Sequence, residues 1–283
     1  MTLAYLNGDF RQLQDIRISA LDRGFLFADA VYEVIPVYAG RLFRRDAHLD
    51  RLARSLAGIR IEDPLDRPAW NALLDAIVAQ NGGGHQAVYL QVSRGVAPRD
   101  HAFPEAATAT VFAMTRLREA DPEVSPLHAV TRPDIRWGRC DIKSVSLLPN
   151  VLVRQEAADA SASEAILIRD GRLTEGSATN VFVVDGQRVR TAPKSPHILA
   201  GVTRDLLIEL MHTAGIDCSE VPVMETELAS ADEIWLSSST KEVAPVVQLD
   251  GVAVGKGAPG PLWERVHALF QDHKQRLTRG DLD

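Results

Sequence analysis

The stretch RCDIKSVSLLPN, residues 139–150, places a lysine among small and apolar residues shortly before a proline. Lys143 is one of five lysines, and it alone has apolar neighbours on both sides within a few positions. A lysine shielded from water is more readily neutral, and its amine can then act as a nucleophile or a base. The same pattern fits a structural lysine whose stem covers apolar surface while its ammonium reaches water.

The residues that precede this stretch predict a mixed domain of strands and helices. Asn7-Gly8 predicts a hairpin near the start, and residues 31–43 predict two strands joined by a turn at Ala39-Gly40. Leucines at helical spacing follow Asp46, the predicted N-cap of a helix. A second helix and two further strands are predicted in residues 67–84, 87–95 and 108–115.

Residues 117–125, LREADPEVS, are polar, contain a proline and lack apolar periodicity, which predicts a linker. The expected domains are therefore residues 1–116 and 126–283. Strands dominate the second, because Asp-Gly pairs at 170–171, 185–186 and 250–251 predict hairpins. Helices are predicted in residues 202–215 and 262–277. The fold class is α/β, of the α+β kind, with a small N-terminal α/β domain and a larger strand-rich C-terminal domain.

The length and composition of the chain limit the classes of function that it can have. A chain of 283 residues with 46% hydrophobic residues can build a core large enough for an enzyme. The net charge of -7 argues against general binding to nucleic acid or anionic membrane, and no apolar run is long enough to span a bilayer. The N-terminus does not resemble a secretory signal, so we expect a cytoplasmic protein with small-molecule partners. Cys140 and Cys218 lack metal-site spacing and are expected to be buried free thiols, and no metal is expected.

A pyridoxal phosphate site would need four further groups around Lys143: an acid for the pyridine nitrogen, a phosphate cradle, a positive charge and donors for the ring oxygen. Glu175 in LTEGSATN could be the acid, although a glutamate at a turn is also typical of a solvated loop. The AGVTRDLL segment could open a helix onto a phosphate, or it could begin with an ordinary N-cap at Thr203. The hydroxyls of WLSSST and the charge of Arg51 are candidates that equally fit a plain turn and a solvated helix face.

Seven motifs occur in the order and with the spacing typical of fold type IV pyridoxal phosphate enzymes, from about residue 3 to 255. They are DRGFLFADAVYEV, HLDRL, APRDHAFP, DIKSVSLLPN, TEGSATN, ILAGVTR and SSSTKEVAPV. Within this group the chain resembles the D-amino acid aminotransferases. The resemblance implies a two-domain fold with a C-terminal pseudo-barrel, pyridoxal 5′-phosphate as the cofactor, and transfer of an amino group between an amino acid and a 2-oxo acid.

The resemblance also implies roles for individual residues. Lys143 would be the Schiff-base lysine, and Glu175 would pair with the pyridine nitrogen. The residues implied for the phosphate are Arg51, Val202, Thr203, Ser238 and Ser239. After Glu175 and a glycine, where the family often has serines, this chain has further cofactor-binding candidates in Ser177, Ala178 and Thr179, and the alanine removes one possible hydroxyl contact.

Substrate recognition is expected in the loop VAPRDHAFP. Arg99 and His101 flank an aspartate there, and an arginine beside a second donor is suited to bind a carboxylate, although the loop could also be simply solvated. The resemblance implies that this pair, with Tyr32, binds the α-carboxylate of a D-amino acid such as D-alanine or D-glutamate. In the family the pair comes from the neighbouring subunit, which implies a homodimer in which Arg99 and His101 reach the neighbouring active site.

Three other functions stay open on sequence alone. An aminodeoxychorismate lyase shares the fold, lysine and cofactor, and so does a transaminase for branched-chain L-amino acids or (R)-amines. Arg99 with His101 argues against both, because these reactions would leave the pair without its role. A catalytically silent cofactor-binding protein is the third, and the presence of both Lys143 and Glu175 argues against it.

Overall fold

The computed structural model describes residues 2–119 and 124–282, which form two compact units. The first unit comprises Met1–Pro122, Ile142–Ser146 and Arg276–Asp283, and the second comprises Glu123–Asp141 and Leu147–Gln275. The division predicted at residues 117–125 assigned Ile142–Ser146 and Arg276–Asp283 to the C-terminal domain, whereas the structure groups them with the first unit. Residues 120–123 of the predicted linker lie outside the described residues.

The first unit contains a mixed arrangement of one sheet and helices. Its sheet has the order β2-β1-β6-β5-β3-β4 among the described residues. The strands are β1 (Leu3–Leu6), β2 (Asp9–Gln12), β3 (Ala30–Tyr38), β4 (Arg41–Leu42), β5 (Gln86–Ser93) and β6 (Thr110–Leu117). The helices are α1 (Arg23–Phe27), α2 (Arg45–Gly58) and α3 (Arg67–Gln80), with a short 3-10 turn at Leu13–Asp15. The predicted hairpins at Asn7-Gly8 and Ala39-Gly40 are confirmed.

One face of this sheet is buried against α2 and α3. Alternate residues of β3 and β5 point to that face, and they form one apolar cluster with the leucines of α2 and the apolar residues of α3. The cluster includes Val31, Ile35, Val88, Leu90, Leu52, Leu56, Trp70, Leu74 and Ile77. Because each fully buried large apolar side chain contributes about 1.5–3 kcal/mol, this cluster holds the helices on the sheet.

The start of α2 differs from the prediction. Asp46 is not the N-cap, because it already lies in the first turn of the helix. The N-cap is Arg44, which adopts the left-handed conformation with φ of 53° and makes no side-chain capping bond. Asp46 instead adds negative charge to the first turn, which the helix dipole favours.

The second unit is dominated by strands, as predicted. Its sheet has the order β12-β11-β10-β13-β14-β7-β8-β9, with β15 paired to β14. The strands are β7 (Leu127–Pro133), β8 (Glu164–Arg169), β9 (Arg172–Gly176), β10 (Asn180–Asp185), β11 (Arg188–Thr191), β12 (Cys218–Glu220), β13 (Glu233–Ser238), β14 (Glu242–Leu249) and β15 (Val252–Ala253). The helices are α4 (Leu148–Asp159), α5 (Val202–Thr213), α6 (Glu225–Leu228) and α7 (Pro261–Arg279), of which residues from Arg276 group with the first unit.

Two of the three Asp-Gly pairs form the predicted turns. Asp170 and Gly171 both have positive φ, 52° and 69°, between β8 and β9, which matches the type I′ turn of a tight hairpin. The pair at 250–251 likewise connects β14 to β15. The turn predicted at 185–186 lies one residue later, because Asp185 is the last residue of β10 and pairs with Arg188, which leaves Gly186 and Gln187 as the turn. Cys140 and Cys218 are buried free thiols, as expected. Within the described residues, no helix is long and apolar enough to cross a membrane.

Candidate active site

Lys143 lies in a short segment that extends the sheet of the first unit. The Tyr32 N–H donates to the Lys143 carbonyl at 2.9 Å, and the Val145 N–H donates to the Ala30 carbonyl at 3.1 Å. Val31 and Ser144 face each other as an antiparallel bridge. The segment therefore pairs with the first residues of β3, which explains why Ile142–Ser146 groups with the N-terminal part of the chain.

The Lys143 side chain is half-buried above an aromatic pair. Its Nζ lies 4.1 Å from the centroid of the Tyr32 ring, within the range of a cation–π contact. The Tyr32 ring stacks on Tyr89 with a centroid distance of 5.7 Å. Burial raises the pKa of Tyr89 to about 12, so its hydroxyl stays protonated and donates to Gln91 Oε1 at 2.6 Å. The Lys143 side chain therefore points to the Tyr32 ring and does not extend into solvent.

Arg51 and a histidine on the same face of α2 converge on one buried carboxylate. Glu33 is fully buried on β3, and it accepts hydrogen bonds from Arg51 Nε at 2.8 Å and from Nη2 at 2.7 Å. His48 Nδ1 lies 2.7 Å from the same carboxylate. The sequence interpretation included Arg51 but missed Glu33 and His48, which read as ordinary strand and helix residues.

The charges of this cluster follow from its burial. Burial alone would raise the pKa of Glu33, but the Arg51 guanidinium and the His48 bond hold the pKa well below its usual range. Burial lowers the pKa of His48, and Glu33 offsets this effect only in part. The cluster is therefore an ionised Glu33, a charged Arg51 and a neutral His48 that donates from Nδ1.

In the second unit, Glu175 is buried at the end of β9 with three donors on its carboxylate. Arg136 Nη1 forms an ion pair with Oε1, while Asn180 Nδ2 and the Leu199 N–H donate to Oε2 at 3.1 and 2.9 Å. Burial raises the pKa of Glu175, and Arg136 and the Leu199 N–H oppose that rise. The alternative of a solvated turn glutamate is excluded, because Glu175 is only 5% exposed.

Arg136 links Glu175 to a second acid. Its Nε and Nη2 donate to the two oxygens of Asp134, both at 2.9 Å. Burial alone would lower the pKa of Arg136, but Asp134 and Glu175 raise it above its usual value, so the guanidinium stays charged. Asp134 and Arg136 were missed by the sequence interpretation; the only signal was an acid and an arginine two positions apart in TRPDIRW.

The turn after Glu175 is organised by a buried acid on β8. Ser177 Oγ and Thr179 Oγ1 both donate to Glu164, the latter at 3.1 Å. Glu164 is 1% exposed, while Ala178 between the two hydroxyl residues is exposed. The hydroxyls of Ser177 and Thr179, which were expected to bind the cofactor, are thus directed to Glu164 and shape the turn.

The start of α5 has the features of an anion site. Its N-cap is Gly201, with no side-chain cap, so the predicted alternative of an N-cap at Thr203 is wrong. A Cβ on Gly201 would collide with the Asn180 amide oxygen, which keeps the amide that binds Glu175 against the helix start. Val202 and Thr203 occupy the first turn, where unpaired N–H groups and the helix dipole favour a phosphate.

An unpaired hydroxyl lies beside this helix start. Ser237 Oγ is buried without a hydrogen-bond partner among the described residues, and Ser237 pairs across the sheet with Asn180. Ser238 and Ser239 follow it and are half-buried. An orphaned buried hydroxyl is costly unless a bound group satisfies it, so this end of β13 fits a ligand with acceptor atoms, such as those of a phosphate. The residues present fit pyridoxal phosphate.

Arg99 and His101 lie together on an exposed loop of the first unit. The Arg99 guanidinium lies 5.2 Å from the centroid of the Phe27 ring, and the His101 ring lies 5.4 Å from it. Arg23 donates to the Asp100 carbonyl at 2.5 Å and fixes the loop between them. No carboxylate among the described residues pairs with Arg99. The two donors are thus held around one ring.

Comparison with known proteins identifies the family of this chain. A family model described as amino-transferase class IV matches residues 30–249. The chain belongs to this family. It is therefore a pyridoxal phosphate-dependent aminotransferase, and the resemblance drawn from the seven motifs is confirmed.

Relatives match nearly the whole chain. A D-alanine aminotransferase of Bacillus licheniformis is 41% identical over 268 residues, covering 94% of this chain and 95% of that protein. One of Listeria innocua is 38% identical over 283 residues, covering 98% of each. The crystal structure of a branched-chain amino acid aminotransferase of Escherichia coli has a TM-score of 0.89 at 23% identity, covering 95% of this chain and 93% of that one. At that identity the structural likeness shows the fold alone, and it confirms the fold type IV architecture.

Proposed function

We propose that this amino-transferase class IV protein moves the amino group of a D-amino acid, such as D-alanine or D-glutamate, to 2-oxoglutarate or pyruvate. The observation that carries the substrate assignment is the placement of Arg99 and His101 around the Phe27 ring, where both can donate to one carboxylate. The names of the two relatives above support the same assignment.

We assign the cofactor contacts as the resemblance implies. When bound, pyridoxal phosphate supplies an aldehyde that takes up the amino group and a protonated ring that draws charge away from the substrate Cα. Lys143 carries the cofactor, and Glu175 holds the proton of the pyridine nitrogen. The phosphate contacts are Arg51, Val202, Thr203, Ser238 and Ser239. Ser177, Ala178 and Thr179 contribute through the turn that they form next to Glu175.

Lys143 and Glu175 have different roles in the two half-reactions. The Lys143 amine would hold the cofactor between turnovers and, when free, its Nζ would accept the proton from the substrate Cα and pass it on. Glu175, kept in place by Arg136 and Asn180, stabilises positive charge on the ring nitrogen. A 2-oxo acid would be the acceptor of the amino group in the second half-reaction, in which the same residues would act in the reverse direction.

We propose that the carboxylate is bound by Tyr32 of one subunit and by Arg99 and His101 of a second copy. An exposed apolar patch supports a homodimer: Leu21, Phe25 and Val96 are 50%, 75% and 48% exposed. These residues adjoin one another, because Asp22 and Val96 form an antiparallel bridge. Val96 of this patch lies on the same loop as Arg99, so a second copy that covers the patch would place Arg99 close to the interface.

The two free, buried thiols support a reducing compartment, and we place the enzyme in the cytoplasm.

The test is a single half-reaction. Cofactor-loaded protein is mixed with D-alanine, and separately with L-leucine and L-glutamate, while the visible absorption band of the bound cofactor is followed. Bleaching by D-alanine with release of pyruvate supports the proposal. Bleaching only by the L-amino acids would retain the family and cofactor but contradict the substrate assignment, and release of pyruvate from aminodeoxychorismate alone would indicate the lyase.

A further inference from the structure

Ser55 is a buried hydroxyl that contacts the backbone of Lys143. The Lys143 N–H donates to Ser55 Oγ at 3.1 Å, and Ser55 is 2% exposed. Ser55 lies on α2 one turn after Arg51, so both residues face the same side of the helix. No role follows for Ser55 from the motifs, because a serine within an amphipathic helix reads as a tolerated polar residue.

The Ser55 bond differs from the other contacts of the lysine segment. The Tyr32 and Val145 bonds join the segment to β3 and fix its register on the sheet. The Ser55 bond joins it to α2, which carries Arg51. Glu33 on β3 in turn fixes the Arg51 guanidinium through two hydrogen bonds. Strand, helix and lysine segment thus form a closed loop of contacts that sets the separation between Arg51 and Lys143.

We propose that Ser55 is a positioning residue that holds Lys143 at a fixed distance from Arg51, so that the aldehyde end and the phosphate end of the cofactor are bound at the same time. The inference rests on the roles proposed for Lys143 and Arg51. β3, α2 and the lysine segment form one rigid frame that carries both attachments. Once one end of the cofactor is bound, the other end is held near its own site at high effective concentration, so the two attachments strengthen each other. Loosening the frame reduces this gain and leaves each separate attachment possible.

The distinguishing prediction concerns the phosphate group. Pyridoxal, which lacks the phosphate, needs only the lysine, whereas pyridoxal phosphate needs both attachments in register. In Ser55→Ala the partly buried Lys143 N–H loses its acceptor, and the hydrogen bond between the lysine segment and α2 is lost. We expect the affinity advantage of pyridoxal phosphate over pyridoxal to fall by roughly five- to tenfold, the effect of losing about one buried hydrogen bond.

The experiment titrates cofactor-free protein with pyridoxal phosphate and with pyridoxal, follows the visible band that forms at Lys143, and compares the ratio of the two Kd values. Ser93→Ala is the matched control. Ser93 is also 2% exposed in the first unit, and it accepts a hydrogen bond from the Gly95 N–H at 3.1 Å. Ser93→Ala should lower thermal stability without changing the ratio of the Kd values. Ser55→Thr, which keeps the hydroxyl, should have the same ratio as the unmodified protein.

The outcomes separate this inference from the function on which it rests. An unchanged ratio in Ser55→Ala overturns it, and so does an equal fall in Ser93→Ala, which would indicate general loosening. Arg51→Gln tests the assignment beneath it: if that change lowers the ratio while Ser55→Ala does not, only the inference fails. If Arg51→Gln also leaves the ratio unchanged, the phosphate role of Arg51 fails and Ser55 has nothing to position.

Discussion

Arg51 binds both oxygens of the Glu33 carboxylate, through Nε at 2.8 Å and Nη2 at 2.7 Å, with both side chains almost wholly excluded from water. Removal of one partner from such a pair leaves an uncompensated buried charge. We expect Glu33→Gln to lower the free energy of unfolding by about 3–5 kcal/mol, measured by urea denaturation of the cofactor-free protein. Glu62→Gln, at an exposed position, is the control and should change it little. A loss below about 1 kcal/mol, the range of a surface pair, would contradict the buried pair.

The stability should also depend on pH near neutrality because of His48. Burial lowers its pKa below 6.5 in the folded protein, so between pH 7 and 5 the unfolded chain takes up a proton that the folded protein resists. Stability is therefore present above pH 6.5 and is lost as the pH falls, by at most about 1.4 kcal/mol per pH unit for one group. His267 shifts in the same direction. His48→Asn, which keeps a donor for Glu33, should flatten the curve in part, and adding His267→Asn should flatten it further; identical curves would refute a neutral buried His48.

Lys143→Ala should remove both the covalent anchor and the proton carrier. We expect no visible absorption band on addition of pyridoxal phosphate, and a fall in kcat of at least roughly a hundred- to ten-thousandfold from lost proton transfer alone. Lys194→Ala is a suitable control, since Lys194 is an exposed lysine paired with Asp205 in the second unit. A visible band in the Lys143→Ala variant would show that another residue binds the cofactor covalently.

Arg99→Ala should weaken binding of the substrate carboxylate. Loss of a charged hydrogen bond predicts a rise in KM for D-alanine of about ten- to hundredfold with a smaller effect on kcat. If the partner subunit supplies Arg99, mixed dimers of Arg99→Ala and Lys143→Ala chains contain one intact site of two. Co-expression should then recover up to about a quarter of wild-type activity, since about half of the dimers are mixed. Recovery of none, with mixed dimers verified by mass, would place Arg99 in its own subunit's site.

The two cysteines should be inert in the folded enzyme. Burial raises the pKa of the Cys140 and Cys218 thiols to about 11, which leaves few thiolates at pH 8 and little access to them. Ellman's reagent should therefore detect almost no thiol in native protein and two per chain in guanidinium. Rapid reaction of either cysteine in the native state would show that its surroundings open.

Local sequence patterns predicted the strands, turns and helices. The buried ion pairs of Glu33 and Glu175 were not predicted, because each joins residues that are far apart in the sequence. Asn7-Gly8 and the Asp-Gly pairs at 170–171 and 250–251 impose their turns through their own backbone preferences, and the leucines of α2 mark its buried face. By contrast, no sequence pattern indicated that Glu33 carries a buried charge, because the partners of its carboxylate are two residues of a later helix. Arg136 was missed for the same reason: its partner Glu175 lies 39 residues away.

The helix starts show how one residue's chemistry can mislead. Asp46 and Thr203 are good capping residues, yet the caps are Arg44 and Gly201. At α5 a side-chain cap would occupy the N–H groups suited to an anion. The family resemblance singled out Ser177 and Thr179 as cofactor-binding candidates, but it did not indicate that their hydroxyls would bind Glu164.

The pairing of residues 142–145 with β3 makes the first unit a discontinuous piece of the polypeptide. A fragment that stops at Pro122 would contain every strand of that sheet but would leave the N–H of Tyr32 and the carbonyl of Ala30 without the partners they have in the whole chain. An open strand edge of this kind invites pairing with other molecules. During synthesis, this sheet edge therefore stays uncovered until residues 142–145 have been made, and the segment that covers it is the one that contains Lys143.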